Sequence, residues 1–365
     1  MLKPIKSILY KIFFALAAFL LLQGTVRANE PEISTPAPDS MAAENSPESE
    51  EGKFNAGKLV MDHISDSHEW HLWGSHEHPV SIPLPVLIYN KDRGWSCFLS
   101  SRFEHGHASY DGYKLEEGSL VAEDGSAFYD LSITKNVLAL FVAVFLILAI
   151  FISVAKTYSR RKDVAPTGLQ NAIEPLILFV RDDIAKAAIG EKHYARFMPY
   201  LLTIFFFIWI NNLLGLLPIF PGGANVTGNI AVPLVLAMFT LVITVVNGNK
   251  NYWRHIFAMP GVPIFVLPII SLLEFIGIFL KPFVLMVRLF ANILAGHIVL
   301  LVFFCLIFVA GAASTGAGLG AAVPSVAFTL FISGIELLVG FLQAFVFTFL
   351  TAIYFGMALV ENEHH

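Results

Sequence analysis

The sequence predicts an all-α polytopic membrane protein with about five membrane-embedded helices, an amphipathic helix on the cytoplasmic surface and an exported N-terminal region. Three observations predict it. Hydrophobic residues make up 56% of the 365 positions and charged residues only 14%, whereas soluble domains carry about a quarter. Mean hydropathy is +0.68, and the apolar residues are gathered into long blocks rather than scattered. Short basic loops separate those blocks, as the positive-inside rule expects of cytoplasmic connections. No broad basic face points to nucleic acid, so that class is excluded.

Residues 1–28 read as a signal peptide. Lys3, Lys6 and Lys11 precede an apolar core from Ile12 to Leu22, and Val26-Arg27-Ala28 places small residues before a cleavage point. The core is short for a membrane span, which at about 1.5 Å per residue needs some 20 residues. Residues 29–53 are rich in Pro, Ser, Glu and Ala and form an acidic, disordered linker.

Residues 54–132 form an exported His-rich region with turn signals at Asn90-Lys91-Asp92 and Tyr110-Asp111-Gly112. His63, His68, His71, His76, His78, His105 and His107 could hold a transition metal or respond to pH. Equally, they could make ordinary hydrogen bonds in a solvated, aromatic-rich segment. No metal or cofactor is expected. Cys97 and Cys305 lie in unlike surroundings and are not expected to pair.

The first membrane helix spans residues 133–155 and stops at Lys156 and Arg160-Arg161-Lys162, which orients the mature N-terminus outside. An amphipathic interfacial helix follows at 166–196, with Leu169, Ile173, Leu176, Ile177, Val180 and Ile184 on helical steps. Residues 197–248 make a membrane hairpin, its outer turn uncharged and its inner ends basic.

Residues 260–362 hold two apolar blocks far longer than an upright span, so their helices must tilt strongly or kink, with Pro268 and Pro282 as kink points. The small-residue stretch from Gly311 to Ala322 is expected to be the outer connection. The C-terminus is then cytoplasmic.

Within these two blocks lie Glu274, Lys281, Arg288, His297, Glu336 and Gln343. Arginine at a bilayer centre costs about 2.5–3.5 kcal/mol on insertion scales, and its guanidinium keeps its charge at any workable pH. Glu274, Lys281 and Arg288 recur at seven-residue steps, and Asn292 follows one turn later. At about 100° per residue all lie within roughly 40° of Arg288, while His297 points to the opposite side. Glu336 and Gln343 share a face of the last helix. Such groups fit an ion path around a fixed cation. In the blander alternative Glu274 and Lys281 pair together, or Lys281 snorkels to the interface, and Arg288 pairs with Glu336.

The run Arg288-Leu289-Phe290-Ala291-Asn292-Ile293-Leu294-Ala295-Gly296-His297 resembles the signature helix of subunit a of F-type ATP synthases. Leu342-Gln343-Ala344-Phe345-Val346-Phe347, Asn211-Asn212-Leu213-Leu214-Gly215-Leu216-Leu217-Pro218 and Lys281-Pro282 fit the same pattern, in order, across about residues 133–362. The resemblance implies a stator subunit in the bacterial inner membrane, in which Arg288 faces the carboxylates of a rotating c-ring. It implies an outer half-channel lined by His297 and Glu336, which exchange the places some relatives give them. Glu274 falls in an inner half-channel, with Gln343 and Asn292 beside the arginine and Lys281 on the pathway. The implied partners are the c-ring, peripheral-stalk subunit b, the rest of the synthase and the lipid bilayer. No GxxxxGK[ST] loop is present, so nucleotide chemistry would belong to another subunit. The alternative is a self-contained ion transporter or channel, which would be expected to carry an internal repeat.

Overall fold

The computed structural model describes residues 56–75, 78–106, 108–116, 118–160, 165–217, 222–259 and 261–359. The expected signal peptide, the acidic linker and the C-terminal tail lie outside them. The described residues form two compact units, one holding the β-rich region and residues 297–333, the other holding residues 139–296 and 334 onward.

The fold is all-helical only from Lys135 onward. Before it come a short helix α1 (Ala56–Ile64) and seven strands: β1 (Glu69–Ser75), β2 (His78–Pro83), β3 (Pro85–Asn90), β4 (Gly94–Leu99), β5 (Tyr113–Glu116), β6 (Ser119–Ala122) and β7 (Phe128–Asp130). They make two-stranded sheets β1-β2 and β5-β6 and a three-stranded sheet β4-β3-β7. Strand alternation on β3 turns Val86 and Ile88 into a core with Phe103, Tyr113, Leu120 and Phe128. Both sequence turn signals fall where the chain turns: Asn90 Oδ1 accepts the Asp92 N–H at 2.9 Å, and Asp111 and Gly112 take positive φ.

This region is tied to the first span through Asp66. Its Oδ1 accepts the Asn136 N–H at 3.0 Å and its Oδ2 the Thr134 hydroxyl at 2.8 Å, so a distant carboxylate caps helix α2 (Lys135–Arg160). His68 is buried, with Nδ1 at 3.1 Å from the Gly118 carbonyl and Nε2 at 3.1 Å from Asp130. Burial alone would lower its pKa, but Asp130 and Gly118 outweigh that and raise it. Burial likewise opposes the ionised form of Asp130, while His68 and Ser132 prevail and lower its pKa.

After α2 come α3 (Leu169–Phe179), a wider π-type turn (Val180–Lys186) and α4 (Ala187–Ile189). The interfacial helix expected at 166–196 is therefore shorter, and Tyr194 already begins the next span. Phe179 packs on Phe341 and Phe345, and Ala188 lies against Gly356. The segment therefore runs alongside the last helix.

The hairpin consists of α5 (Tyr194–Leu216) and α6 (Ala231–Asn247). A bend of 103° then leads into α7 (Lys250–Phe257). The last two helices are α8 (Leu267–Ala313, 47 residues) and α9 (Thr315–Leu359, 45 residues). Each is about 70 Å long at ~1.5 Å per residue, roughly twice a hydrocarbon core of ~30 Å. Four described helices are long and apolar enough to cross a membrane, or five if α6 and α7 form one bent span.

Two expectations about these helices change. Pro268 occupies the first turn of α8, where a missing N–H costs least, so it is no kink point, while Pro282 lies inside the helix as a kink point must. The stretch from Gly311 to Ala322 is helical except at Ser314. Ser314 N–H closes one helix on Ala310 O, and its hydroxyl accepts the Ala317 N–H to start the next. A Cβ on Gly318 would stand 2.8 Å from Gly311 Cα, so glycine allows the tight reversal.

Candidate functional site

Helix α8 turns its Leu285, Met286, Leu289 and Ile293 inward, which leaves Arg288 and Asn292 exposed on the other side. Around them the exposed surface is apolar, with Val284 and Val287 before the arginine and the small Ala291 and Ala295 after it. Among the described residues no ion pair involves Arg288, Glu274 or Lys281. The blander pairings of Glu274 with Lys281 and of Arg288 with Glu336 are therefore not made. An exposed guanidinium set in an apolar face is costly to keep in lipid without an anion beside it.

Seven residues before Arg288, about 10 Å along the helix, Lys281 lines a cleft. The cleft is narrow, with ~10 Å³ of space or room for about one water molecule, and its polar lining includes Thr244, Tyr252 and Tyr354. Both tyrosines went unnoticed in the sequence, where an isolated Tyr in an apolar block carries no signal.

Eight residues beyond Arg288, about 12 Å along the helix, Gly296 faces Glu336. A Cβ there would meet Glu336 Oε1 at 2.8 Å, so only glycine lets this carboxylate lie against the backbone. Glu336 is 5% exposed and Gln343 6% exposed, so both lie within the protein. Gly340, between them on the same face, is approached by Asn212. Asn212 Nδ2 donates to the Gly340 carbonyl at 3.0 Å, and Thr227 Oγ1 donates to Asn212 Oδ1 at 2.8 Å. Asn225 is buried nearby in sequence and accepts the Gly228 N–H at 2.9 Å.

Not every expected residue joins a cluster. Gln343 makes no hydrogen bond to Arg288. His297 is half-buried in α8, on the side opposite Arg288 as helical phase requires, and is engaged in an interaction of its own. Asn211, Asn212, Asn225 and Thr227 are buried polar groups that the site reading omitted. The Asn pair inside an apolar span was a usable signal, because intramembrane amides need partners.

Residues 137–356 match the family described as ATP synthase A chain, and residues 59–138 match a Domain of unknown function (DUF8433). The chain is similar to an ATP synthase subunit a of Pelodictyon phaeoclathratiforme, 36% identical over 99% of this chain and 97% of the relative. It is similar to one of Chloroherpeton thalassium at 43% identity, over 65% of this chain and 69% of the relative. A third, from Anaeromyxobacter dehalogenans, is 34% identical over 92% of this chain and 79% of the relative. With a matching model over more than half its length and a relative covered almost end to end, this chain belongs to the ATP synthase subunit a family.

Proposed function

We propose that this chain is the proton-translocating stator subunit of a rotary F-type ATP synthase, and that Arg288 is the fixed cation its rotor carboxylates pass. The observation carrying this reading is the exposure of Arg288, without an anionic partner among the described residues, between two separate polar groups along α8. A carboxylate entering the low-dielectric surface beside that guanidinium is favoured in its ionised form. It gives up its proton on one side and regains one only after moving past. The permanent charge also bars protons from hopping directly between the two polar groups.

In this scheme Glu336 and His297, with Asn212 and Thr227 behind them, line the outer half-channel. Glu274, Lys281 and the cleft with Tyr252 and Tyr354 serve the inner one. Asn292 and Gln343 flank the arginine. Each charge moved across the membrane carries about 2.3 kcal/mol per 100 mV, and rotation of the c-ring takes it up.

The β-rich region lies outside the cytoplasmic membrane, and the Lys250 end of the hairpin and the C-terminus lie inside. The peripheral stalk, with subunit b, holds the chain against the rotor's torque. The lengths of α8 and α9 support strong tilt, because helices of about 70 Å fit a ~30 Å core only when steeply inclined.

The test is coupled proton pumping by the assembled complex in vesicles. Arg288→Ala is expected to abolish ATP-driven pumping and proton-driven synthesis while the chain still inserts. Full coupled synthesis by that variant would overturn the reading.

A further inference from the structure

The 103° bend between α6 and α7 sets α7 crosswise to α6, and with α6 across the bilayer that is the orientation of a helix lying in the interface. Its composition suits that plane. Lys250, Arg254 and His255 are exposed, and the sequence holds no carboxylate between Glu191 and Glu274. Trp253 and Phe257 stack with ring centroids 6.1 Å apart, and Phe257 touches Phe275 of α8 at 6.2 Å. Ile256 is buried, which holds α7 to the protein while its charged side faces out.

The segment joining α7 to α8 is more unusual. Phe265 is 90% exposed and Ile264 77% exposed, on a turn where the Val266 and Leu267 N–H groups both bond Pro263 O. A folded chain leaves a Phe and an Ile so bare only where something apolar covers them. The covering medium must also accept the fixed positive charges of Lys250 and Arg254 on the preceding helix.

We propose that residues 250–259 and 261–266 act as an interfacial anchor: Lys250 and Arg254 hold the phosphate of an anionic phospholipid while Phe257, Ile264 and Phe265 enter the acyl region. Headgroup phosphate is the anion available at that depth, and acyl chains are the apolar phase directly beneath it. Tyr252, on the opposite face of the same helix, lines the cleft beside Lys281, so α7 separates that cleft from the charged side. The proposal needs α6 to cross the bilayer but does not depend on the role of Arg288.

The test uses the assembled complex in vesicles of phosphatidylcholine with or without phosphatidylglycerol. In a chain whose Cys97 and Cys305 are changed to serine, Phe265→Cys carries a nitroxide label. Electron paramagnetic resonance then compares its collisions with oxygen, which enters the acyl region, and with a water-soluble nickel chelate. The expected result is frequent collision with oxygen and little with nickel. Native mass spectrometry should find phosphatidylglycerol retained on the chain, falling on the order of tenfold in Lys250→Gln/Arg254→Gln.

A label reached by the nickel chelate overturns the proposal, as does one shielded from both probes, which would mean that another subunit covers it. Retention unaffected by the two charge substitutions removes the headgroup site. Neither readout measures ion transport, so failure here and failure of the rotary reading are separable.

Discussion

The carboxylate of Glu336 lies against the bare Cα of Gly296, where a methyl group would stand 2.8 Å from Oε1. Gly296→Ala should push Glu336 away from α8 and slow proton entry by on the order of 10-fold or more, because proton transfer depends on placement within a hydrogen bond's length. Fluorescence quenching of a pH dye in vesicles measures the rate. The shorter side chain of a Gly296→Ala/Glu336→Asp double variant should recover part of the loss, which a general packing defect would not allow.

Arg288→Lys separates charge from shape. Lysine keeps a cation, but its ammonium is strongly hydrated and shifts its pKa readily on desolvation, whereas guanidinium stays charged. Coupled synthesis should fall by on the order of 100-fold, close to the Arg288→Ala result, with normal insertion by immunoblot. Wild-type synthesis with lysine would mean that any positive charge suffices.

Asn212 joins Thr227 to the Gly340 carbonyl, so Asn212→Ala removes two hydrogen bonds at once. The cost should be about 1–2 kcal/mol, the lower end reflecting the modest worth of polar contacts in membranes. It should appear as a lowered melting temperature of the purified chain in mild detergent. An unchanged melting temperature would show that the contact contributes nothing.

The His68–Asp130 pair predicts a stability window for the β-rich region. Asp130 has a lowered pKa, so its contribution is present above the ordinary carboxylate value and lost as pH falls through the folded value. His68 has a raised pKa, so its contribution is present below the ordinary imidazole value and lost as pH rises through the raised one. Resistance of the full chain to limited proteolysis within residues 56–130 should therefore peak between those limits. Asp130→Asn should flatten the profile and cost about 1–3 kcal/mol.

Much of this was legible in the sequence, for identifiable reasons. Long apolar blocks and basic stops marked the membrane-length helices, and seven-residue spacing set Glu274, Lys281 and Arg288 at neighbouring angles on α8. The β-rich region was not legible, because its strands are only three to seven residues long and Pro, Gly and His interrupt any alternation. Ser314 was missed because a run of Gly, Ala, Ser and Thr reads as a loop, while the same small residues let two helices meet at one capping serine. Asn225 and Thr227 were passed over as turn residues. Their importance lies in burial, which local composition does not report.

That serine leaves no slack. With a single residue between α8 and α9, every position downstream takes its angular phase from the reversal. One residue inserted just after Ser314 would turn Glu336 by about 100° and advance it by about 1.5 Å, aiming its carboxylate away from Gly296. Small insertions and deletions there should therefore be far more damaging than side-chain changes at the same sites, although the stretch holds no charged group.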